Sequence, residues 1–561
     1  MDDDDFRFFT SDPLFPRRLL LVISSVFPDM SVDVEADDAE KESLLAECPL
    51  RVMNILKSAR RLGLSRVMYP PLEAAIEGRG HQMARALSFG VKEKKQVEMD
   101  ILSSAVDIVL KEVDKKREAE RMYVEKGEDR QISADTKRES ESKGEVKESG
   151  KEDTKRGKAK KKKRTIIDIG SGKGYFLQMM SYRHGYDSAG IEASECNCKG
   201  AQRRSDAIEK ALKNEVKKKR EKEKEKEKRE KKGEREGAED EKAESGMNGK
   251  EEVGEADDKI GGIDSSGRRG SSTEREEECS GDIDFGRCIT IPSYLKLEEA
   301  NIQVPTLLSE VDMYGDNTQI CITGLHPCGD LGSFLARTFK CLCDGGKADT
   351  LMAVSCCYHL LSEMSEVEVE DGKRGYPLSH VFHSSLPTLG RDARMIACQA
   401  ISRWTTSSCE EVRHSQTYRA MLQVVFSRVF PADFARYSIE ERRFRLPRRG
   451  KRDPVFAEYC VWALRGMQLL HEGDDEKEEE VRKAAMQVYE ECMPSSKHLA
   501  VFWALRSIAG RVVEAAILLD RHQYLRENNM EAALLAIFPP TISPRNMLLF
   551  GHSQNGAHVH A

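Results

Sequence analysis

The chain has 561 residues, of which 33% are charged and 6% aromatic, long enough for several domains but too polar for its whole length to pack. A net charge of −7 excludes a globally basic nucleic-acid binder, so any such contact has to be local. Fifteen scattered cysteines, several inside apolar runs, predict reduced thiols in the cytoplasm or nucleus rather than disulfides. Residues 1 to about 45 show no clear periodicity. The run Leu19 to Phe27 is much shorter than the ~20 residues a membrane span needs, and it follows Asp2 to Asp5 rather than basic residues, so neither a membrane nor an export signal is expected. From Cys48 to Leu64 apolar residues recur at Leu50, Met53, Ile55, Leu56 and Leu62, predicting an amphipathic helix stopped near Gly63. Pro70-Pro71 breaks the chain before a second helical pattern, Leu72 to Ile76, and a third runs from Val97 to Val113. Residues 1–113 therefore read as an N-terminal helical region, its first ~45 residues poorly ordered. Residues 114–164, rich in Lys, Glu, Ser and Arg, read as a charged, disordered linker. It closes on Lys158 to Arg164, a solvated charge run or, alternatively, a nuclear-import or RNA-contacting patch.

The next stretch is the most informative. Thr165-Ile-Ile-Asp-Ile-Gly-Ser-Gly-Lys-Gly-Tyr175 joins a β-branched run to glycines at 170, 172 and 174, an apolar helix-favouring run follows, and Glu192 ends a second apolar run 22 residues after Gly170. That is a strand, tight turn, helix and strand that bind an adenosine-containing ligand: glycines let the backbone approach, free N–H groups at the helix start face an anion, and Glu192 can accept ribose hydroxyls. The bland alternative is a Gly-rich turn that only joins strand to helix. A dinucleotide fingerprint would need glycine at Tyr175, and a P-loop would need Gly-Lys-Ser/Thr after a four-residue gap. Residues 165–204 form the first part of this core, with Cys196 and Cys198 too close together for a usual zinc pair. Residues 205–282, almost pure Lys, Arg and Glu from Lys217 to Glu236, read as a flexible insertion, since a loop grows there at little cost.

Order resumes over 283–430, with strands expected at Gly286 to Pro292, Gln319 to Gly324 and Thr350 to Cys356, and a helix from Leu331 through Phe339. Strands alternating with helices predict a parallel sheet covered on both faces, with ligands at the strands' carboxyl ends. The glycine turn, Glu192, His326 and Tyr358 all fall at such ends. Residues 431–561 read as a C-terminal helical region: a basic stretch from Arg442 to Arg452, strong helical periodicity over His498 to Ile537, and a final strand at Met547 to Phe550 that completes the sheet.

Within Leu325-His-Pro-Cys-Gly-Asp-Leu331, His326 is a candidate general base and Asp330 its companion; the alternative is a His and an Asp that tie down a turn. His326, Cys328, Cys356, Cys357 and His359 could gather at the strand ends, but their spacings match no standard zinc module and no metal is expected.

The glycine turn preceded by Asp168 resembles the first motif of class I S-adenosylmethionine-dependent methyltransferases. Together with Gly190-Ile-Glu192, Gly200-Ala-Gln-Arg-Arg204, Gly324-Leu-His-Pro-Cys-Gly-Asp330, Ser355-Cys-Cys-Tyr358 and Ser543-Pro-Arg-Asn546, it is similar to the methyltransferase-like protein twenty-five family, which includes proteins labelled as containing a ribosomal RNA adenine dimethylase domain. A more distant similarity is to transfer-RNA ribose methyltransferases, in which a lysine stands at the position of Leu325 and a histidine at that of Tyr358. The Asp/Asn-Pro-Pro-aromatic motif of base methylation is missing. The resemblance implies a Rossmann-like class I methyltransferase, an α/β fold with a mostly parallel seven-stranded sheet and helices on both faces. It implies S-adenosyl-L-methionine held by Asp168, Gly170, Ser171, Gly172, Gly174 and Glu192, with catalysis by His326 and Asp330 and an RNA or protein acceptor. The alternative function is a catalytically inactive cofactor- or RNA-binding scaffold.

Overall fold

A computed structural model describes residues 17–27, 34, 36–64, 74, 85–88, 90–140, 163–244, 285–315, 318–363, 375–385, 388–439, 455–471 and 473–553. Three short helices open the described chain, α1 (Arg17–Val26), α2 (Asp38–Glu47) and α3 (Leu50–Leu62), followed by one turn of helix, α4 (Arg85–Ser88), and a long helix α5 (Glu93–Ser140). The central unit then alternates: β1 (Lys163–Ile169), α6 (Tyr175–Tyr182), β2 (Asp187–Glu192), α7 (Glu195–Glu244), β3 (Cys288–Pro292), α8 (Ala300–Ser309), β4 (Thr318–Cys328), α9 (Leu331–Asp344) and β5 (Ala348–Cys356). After helices α10 (His380–Ser385), α11 (Gly390–Ile396), α12 (Thr406–Val429), α13 (Pro431–Ile439), α14 (Phe456–Gly466), α15 (Asp475–Cys492) and α16 (Ser496–Glu527), the chain returns as β6 (Glu531–Ala536) and β7 (Met547–His552).

The seven strands form one sheet in the order β3-β2-β1-β4-β5-β7-β6. All neighbours are parallel except β7, which lies antiparallel between β5 and β6. This is the expected class I methyltransferase fold. β1 from Arg164 and all of β5 are buried because both of their faces are covered: α5, α6 and α7 lie over one face, α8, α9 and part of α16 over the other. The direction of winding reverses between β1 and β4, which opens a crevice at their carboxyl ends.

Several expectations change. The first ~45 residues include a packed helix, because Leu19 to Ile23 are buried against Trp404 and the α16 residues Val501, Leu505 and Ile508. The helix expected over Val97 to Val113 runs on to Ser140, so 114 does not begin a linker. Asp114 accepts from Arg164 at 2.6 Å, Lys116 pairs with Glu531 and Arg117 with buried Asp349. Arg164, expected in a solvated run, is 8% exposed and bonds Asp349 at 2.7 Å, because β1 starts two residues earlier than its β-branched run suggests. Likewise α7 continues to Glu244 where a flexible insertion is expected from 205. Its first turns are core: Ile208 and Leu212 are buried, and Ser205 Oγ lies 2.6 Å from the Tyr182 hydroxyl. Finally, helical periodicity over His498 to Ile537 hides β6. α16 ends at Glu527, Asn529 turns the backbone at φ 58°, and Glu-Ala-Ala-Leu-Leu-Ala, a good helix former by composition, is drawn into the ladder beside β7. The Leu72 to Ile76 pattern, the charges at 158–162 and the stretch 442–452 lie outside the described residues, apart from Ala74.

The burial of Ile208 and Leu212 sets where the insertion can be cut. A Gly/Ser linker replacing 205–282 should lower the urea midpoint, each lost aliphatic side chain being worth about 2–5 kcal/mol, whereas one replacing 226–282 should leave it unchanged. Equal midpoints would show that the start of α7 contributes nothing to the core.

Candidate active site

The site is built at the carboxyl ends of β1, β2 and β4. At the end of β1 the backbone enters the left-handed region three times, at Gly170 (φ 75°), Gly172 (φ 56°) and Gly174 (φ 66°), conformations that glycine adopts without strain. A side chain at Gly170 would strike Leu331 at 2.8 Å, whereas at Gly172 there is open space. The turn is held by the end of β2: Gly172 N–H donates to Glu192 Oε2 at 2.8 Å, and Ser194 N–H to Oε1 at 2.9 Å. Each carboxylate oxygen keeps further lone pairs for a ligand hydroxyl.

Beside the turn lies a cavity of about 690 Å³, lined by Gly170, Glu192, Asp330, Leu331, Phe334 and the segment Ser293 to Glu298 after β3, a volume suited to a small-molecule ligand. Of the expected site residues, Gly170, Glu192 and Asp330 line it. Asp168, Ser171, Gly172 and Gly174 form the adjoining turn, and His326 stands apart. The segment after β3 went unremarked in the sequence, although its place at the carboxyl end of a predicted strand was the signal that could have found it.

Two polar groups in the turn have no hydrogen-bond partner among the described residues. The Ser171 hydroxyl is buried and unbonded. Asp168 is 6% exposed, and no described residue hydrogen-bonds its carboxylate. Burial pushes that carboxyl up to about 8; Lys95 pulls the other way and Glu192 adds to the rise. A buried carboxylate without a partner is costly, and a cation placed beside it would relieve the cost. Lys95, on α5, lies 5.3 Å from the centre of the Tyr175 ring, with Arg204 at 4.9 Å, so α5 reaches the mouth of the turn.

The same helix supplies a partner for His326. Nε2 of His326 lies 3.4 Å from Glu98 Oε2, and the Glu98 side chain is 4% exposed. Burial alone would raise the Glu98 carboxyl, but hydrogen bonds from His326 and Ser543 overcome it and hold Glu98 down at about 2. His326 itself sits at φ 66°, a strained backbone for a side chain with a Cβ, costing on the order of 1 kcal/mol. Sequence reasoning missed Glu98: one acidic residue between Val97 and Met99 carries no signal that it faces inward. Asp330 Oδ1 accepts from Ser362 N–H at 2.7 Å and so also ties down the loop after β5.

The C-terminal part of the chain also packs against the end of β5. Tyr358 donates to Glu514 at 3.0 Å, Arg545 approaches Glu514 at 3.5 Å, and buried Arg521 donates to Ser355 Oγ at 2.6 Å. Of the His and Cys residues that could gather, the structure brings three thiols together. Cys328 and Cys356 lie 3.3 Å apart and Cys356 and Cys357 3.6 Å, while His359 Nδ1 pairs with Cys398 at 3.4 Å. The contact between the two thiols pulls Cys328 down against burial and, together with burial, pushes Cys356 up.

Residues 145–364 match the family described as Methyltransferase domain. The chain is 27% identical over 439 residues to the human protein described as "Probable methyltransferase-like protein 25", covering 68% of this chain and 69% of that one. It is 27% identical over 434 residues to the mouse protein of the same description, with the same coverage. No solved structure matches the chain. Among the described residues no helix is long and apolar enough to cross a membrane.

The raised carboxyl of Asp168 makes stability pH-dependent with a definite sign. Its folded value, about 8, lies above the ordinary ~3.9, so the folded state holds a proton that the unfolded state has lost. Stability is then full below about pH 4 and falls through to about pH 8, by up to ~1.4 kcal/mol per pH unit. Asp168→Asn should remove this slope, so thermal melts of ligand-free wild type and variant should diverge progressively from pH 5 to 8, the variant being the more stable. Parallel melting curves would place the charge of Asp168 in contact with solvent.

Proposed function

We propose, from the match of residues 145–364 to a methyltransferase domain and the similarity to methyltransferase-like protein 25, that the chain transfers the methyl group of S-adenosyl-L-methionine to an acceptor in RNA or protein. The observation that carries this reading is Asp168: a buried carboxylate with no hydrogen bond among the described residues, at the start of a glycine turn and poised for the ammonium of a cationic ligand. Ser171 offers a second unbonded polar group, Gly170 and Gly174 shape the turn, Gly172 leaves open space above it, and Glu192 keeps lone pairs for a ribose. The bound cofactor supplies an electrophilic methyl group that already carries its leaving group. The protein's task is to align the acceptor and to take up a proton from it.

His326 is the group for that proton. With Glu98 ionised beside Nε2, the ring carries its proton on Nε2 and presents Nδ1 as acceptor; this assignment follows from the hydrogen-bond network. Glu98 is a positioning residue that acts through the imidazole. Asp330, with one oxygen on Ser362 N–H, orders the wall of the cavity.

Two measurements test this reading. Calorimetry should show that cofactor binding at pH 7 releases a proton as Asp168 ionises, with affinity rising up to about tenfold per pH unit toward pH 8. Binding should vanish in Gly172→Arg, whose side chain fills the open space, and lose its pH dependence in Asp168→Asn; undiminished binding by folded Gly172→Arg would refute the cofactor site.

Incorporation of labelled methyl groups into fractionated cell RNA and protein separates the acceptors, and silence in both pools favours an inactive scaffold. In the active pool His326→Ala should lose about 10²–10⁴ in rate. Glu98→Gln should lose less, and the acidic limb of its pH–rate profile should move to lower pH, because the imidazolium has lost its counter-charge. An unmoved limb would remove Glu98 from the mechanism.

A further inference from the structure

We propose that Cys328, Cys356 and Cys357 form a site for one thiophilic divalent cation of the zinc class, held by three thiolates with its fourth coordination position open. Their sulfur atoms all lie within 4.8 Å of one another, and no other described His, Cys, Asp or Glu joins the group. The closest pairs, at 3.3 and 3.6 Å, are far from the ~2.0 Å of a disulfide. They are near the ~3.8 Å edge of a tetrahedron with metal–sulfur bonds of about 2.3 Å.

Gathering these thiols takes two local departures from strand geometry. Side chains of successive strand residues point to opposite faces, so Cys356 and Cys357 would diverge if β5 simply continued; instead Cys357 turns into the left-handed region at φ 49° and its thiol stays beside that of Cys356. On the neighbouring strand, His326 turns at φ 66° and the register between β4 and β5 shifts between Leu325 and Cys328, which sets Cys328 directly across from Cys356. The carbonyl of His326 accepts from both Cys328 and Cys356, at 3.3 and 3.4 Å, and so points both sulfurs to one place.

Three soft sulfur ligands select zinc-like ions over magnesium or calcium. Three protein ligands with a vacant fourth position are the arrangement of zinc sites that bind an exchangeable ligand rather than of closed structural sites. Of the two imidazoles nearest in sequence, His326 faces Glu98 and His359 is engaged with Cys398. Cys328 is exposed, so water or an incoming ligand can complete the tetrahedron from the carboxyl edge of the sheet. Binding forms three metal–sulfur bonds and releases the thiol protons to solvent; no electron is transferred and no oxidant is needed. The site stands independently of the methyl-transfer reading.

The test uses the full-length chain, reduced and freed of metal by a chelator. Zinc titrated against a chromophoric competitor should bind at one equivalent. Cobalt(II) in its place should give tetrahedral d–d bands and thiolate-to-cobalt charge transfer. Cys328→Ser, at an exposed position that tolerates the change, should weaken binding more than about hundredfold, beyond the loss from a missing outer-shell partner, while Cys492→Ser should bind as wild type. Zinc should raise the melting temperature of wild type and not of Cys328→Ser, and cofactor affinity measured in the same samples reports separately on the neighbouring site. Sub-stoichiometric zinc, cobalt spectra without charge transfer, undiminished binding by Cys328→Ser, or a Cys328–Cys356 disulfide that forms in air while zinc is present would each overturn the proposal.

Discussion

The docking of α5 across the sheet is the constraint on which the rest depends. The helix contributes Leu102, Val106 and Leu110, none of them accessible to solvent, to the core beneath β1 and β4, each worth about 1.5–3 kcal/mol. At one end Arg117 meets Asp349, a carboxylate with no exposed surface that Arg164 also holds. At the other, Glu98 meets His326. Nineteen residues of helix separate Glu98 from Arg117, about 28 Å, the length of a strand of eight or nine residues. The helix therefore spans the sheet from its amino to its carboxyl edge. Asp349 and Glu98 are the two anchors. At Asp349 burial alone would raise the carboxyl, yet the two guanidinium groups hold it below its ordinary value. A pair of this kind adds little beyond what apolar packing would give, but it penalises every other register of the helix, since a shifted α5 would take Arg117 from Asp349 and Glu98 from His326. The register that satisfies Asp349 is also the one that delivers Glu98 and Lys95 to the site.

Two left-handed turns and a buried carboxyl lie at the opposite edge from the Asp349 anchor. Two of the five left-handed non-glycine positions among the described residues, His326 and Cys357, lie where β4 and β5 end, and Asp168, whose carboxylate has no hydrogen bond among the described residues, lies one strand away. In a fold whose strand interiors are satisfied by parallel ladders, these departures are held in place by the surrounding packing. Their common location, more than any one distance, marks this edge as the working one.

How much of this was legible in the sequence depends on whether the signal is local. The β1 turn and Glu192 are encoded within 28 residues, by glycine conformational freedom and strand periodicity, and the sequence alone placed them. β4 and β5 could be read because fully buried strands leave continuous apolar runs. β6 could not, because Glu-Ala-Ala-Leu-Leu-Ala favours helix on its own and becomes a strand only through pairing with β7. Glu98 was invisible for a related reason. Its meaning comes from a histidine 228 positions later, and a single acidic residue on a mixed helix looks like surface. The packed start of α7 was overlooked because Ile208 and Leu212 are two aliphatic residues at the head of a very long charged run, so composition averaged them away.

The length of α7 explains why so large a charged insertion is compatible with a working edge. α7 leaves β2 at the carboxyl edge, at Glu195, and has to return to the amino edge, where β3 begins at Cys288. A return of some 20 Å takes about 14 helical residues, and close to this point its packed residues end, with Leu212. Fifty residues of helix extend about 75 Å, so the remainder overshoots the amino edge and travels away from the glycine turn, His326 and the thiols. Extra length inserted at the carboxyl edge would crowd the ligand cavity. Inserted past the packed turns of α7, it adds only loop-closure entropy, which grows slowly with length. The insertion sits in a β-to-β connection whose helix can grow past the amino edge without meeting either the sheet or the site.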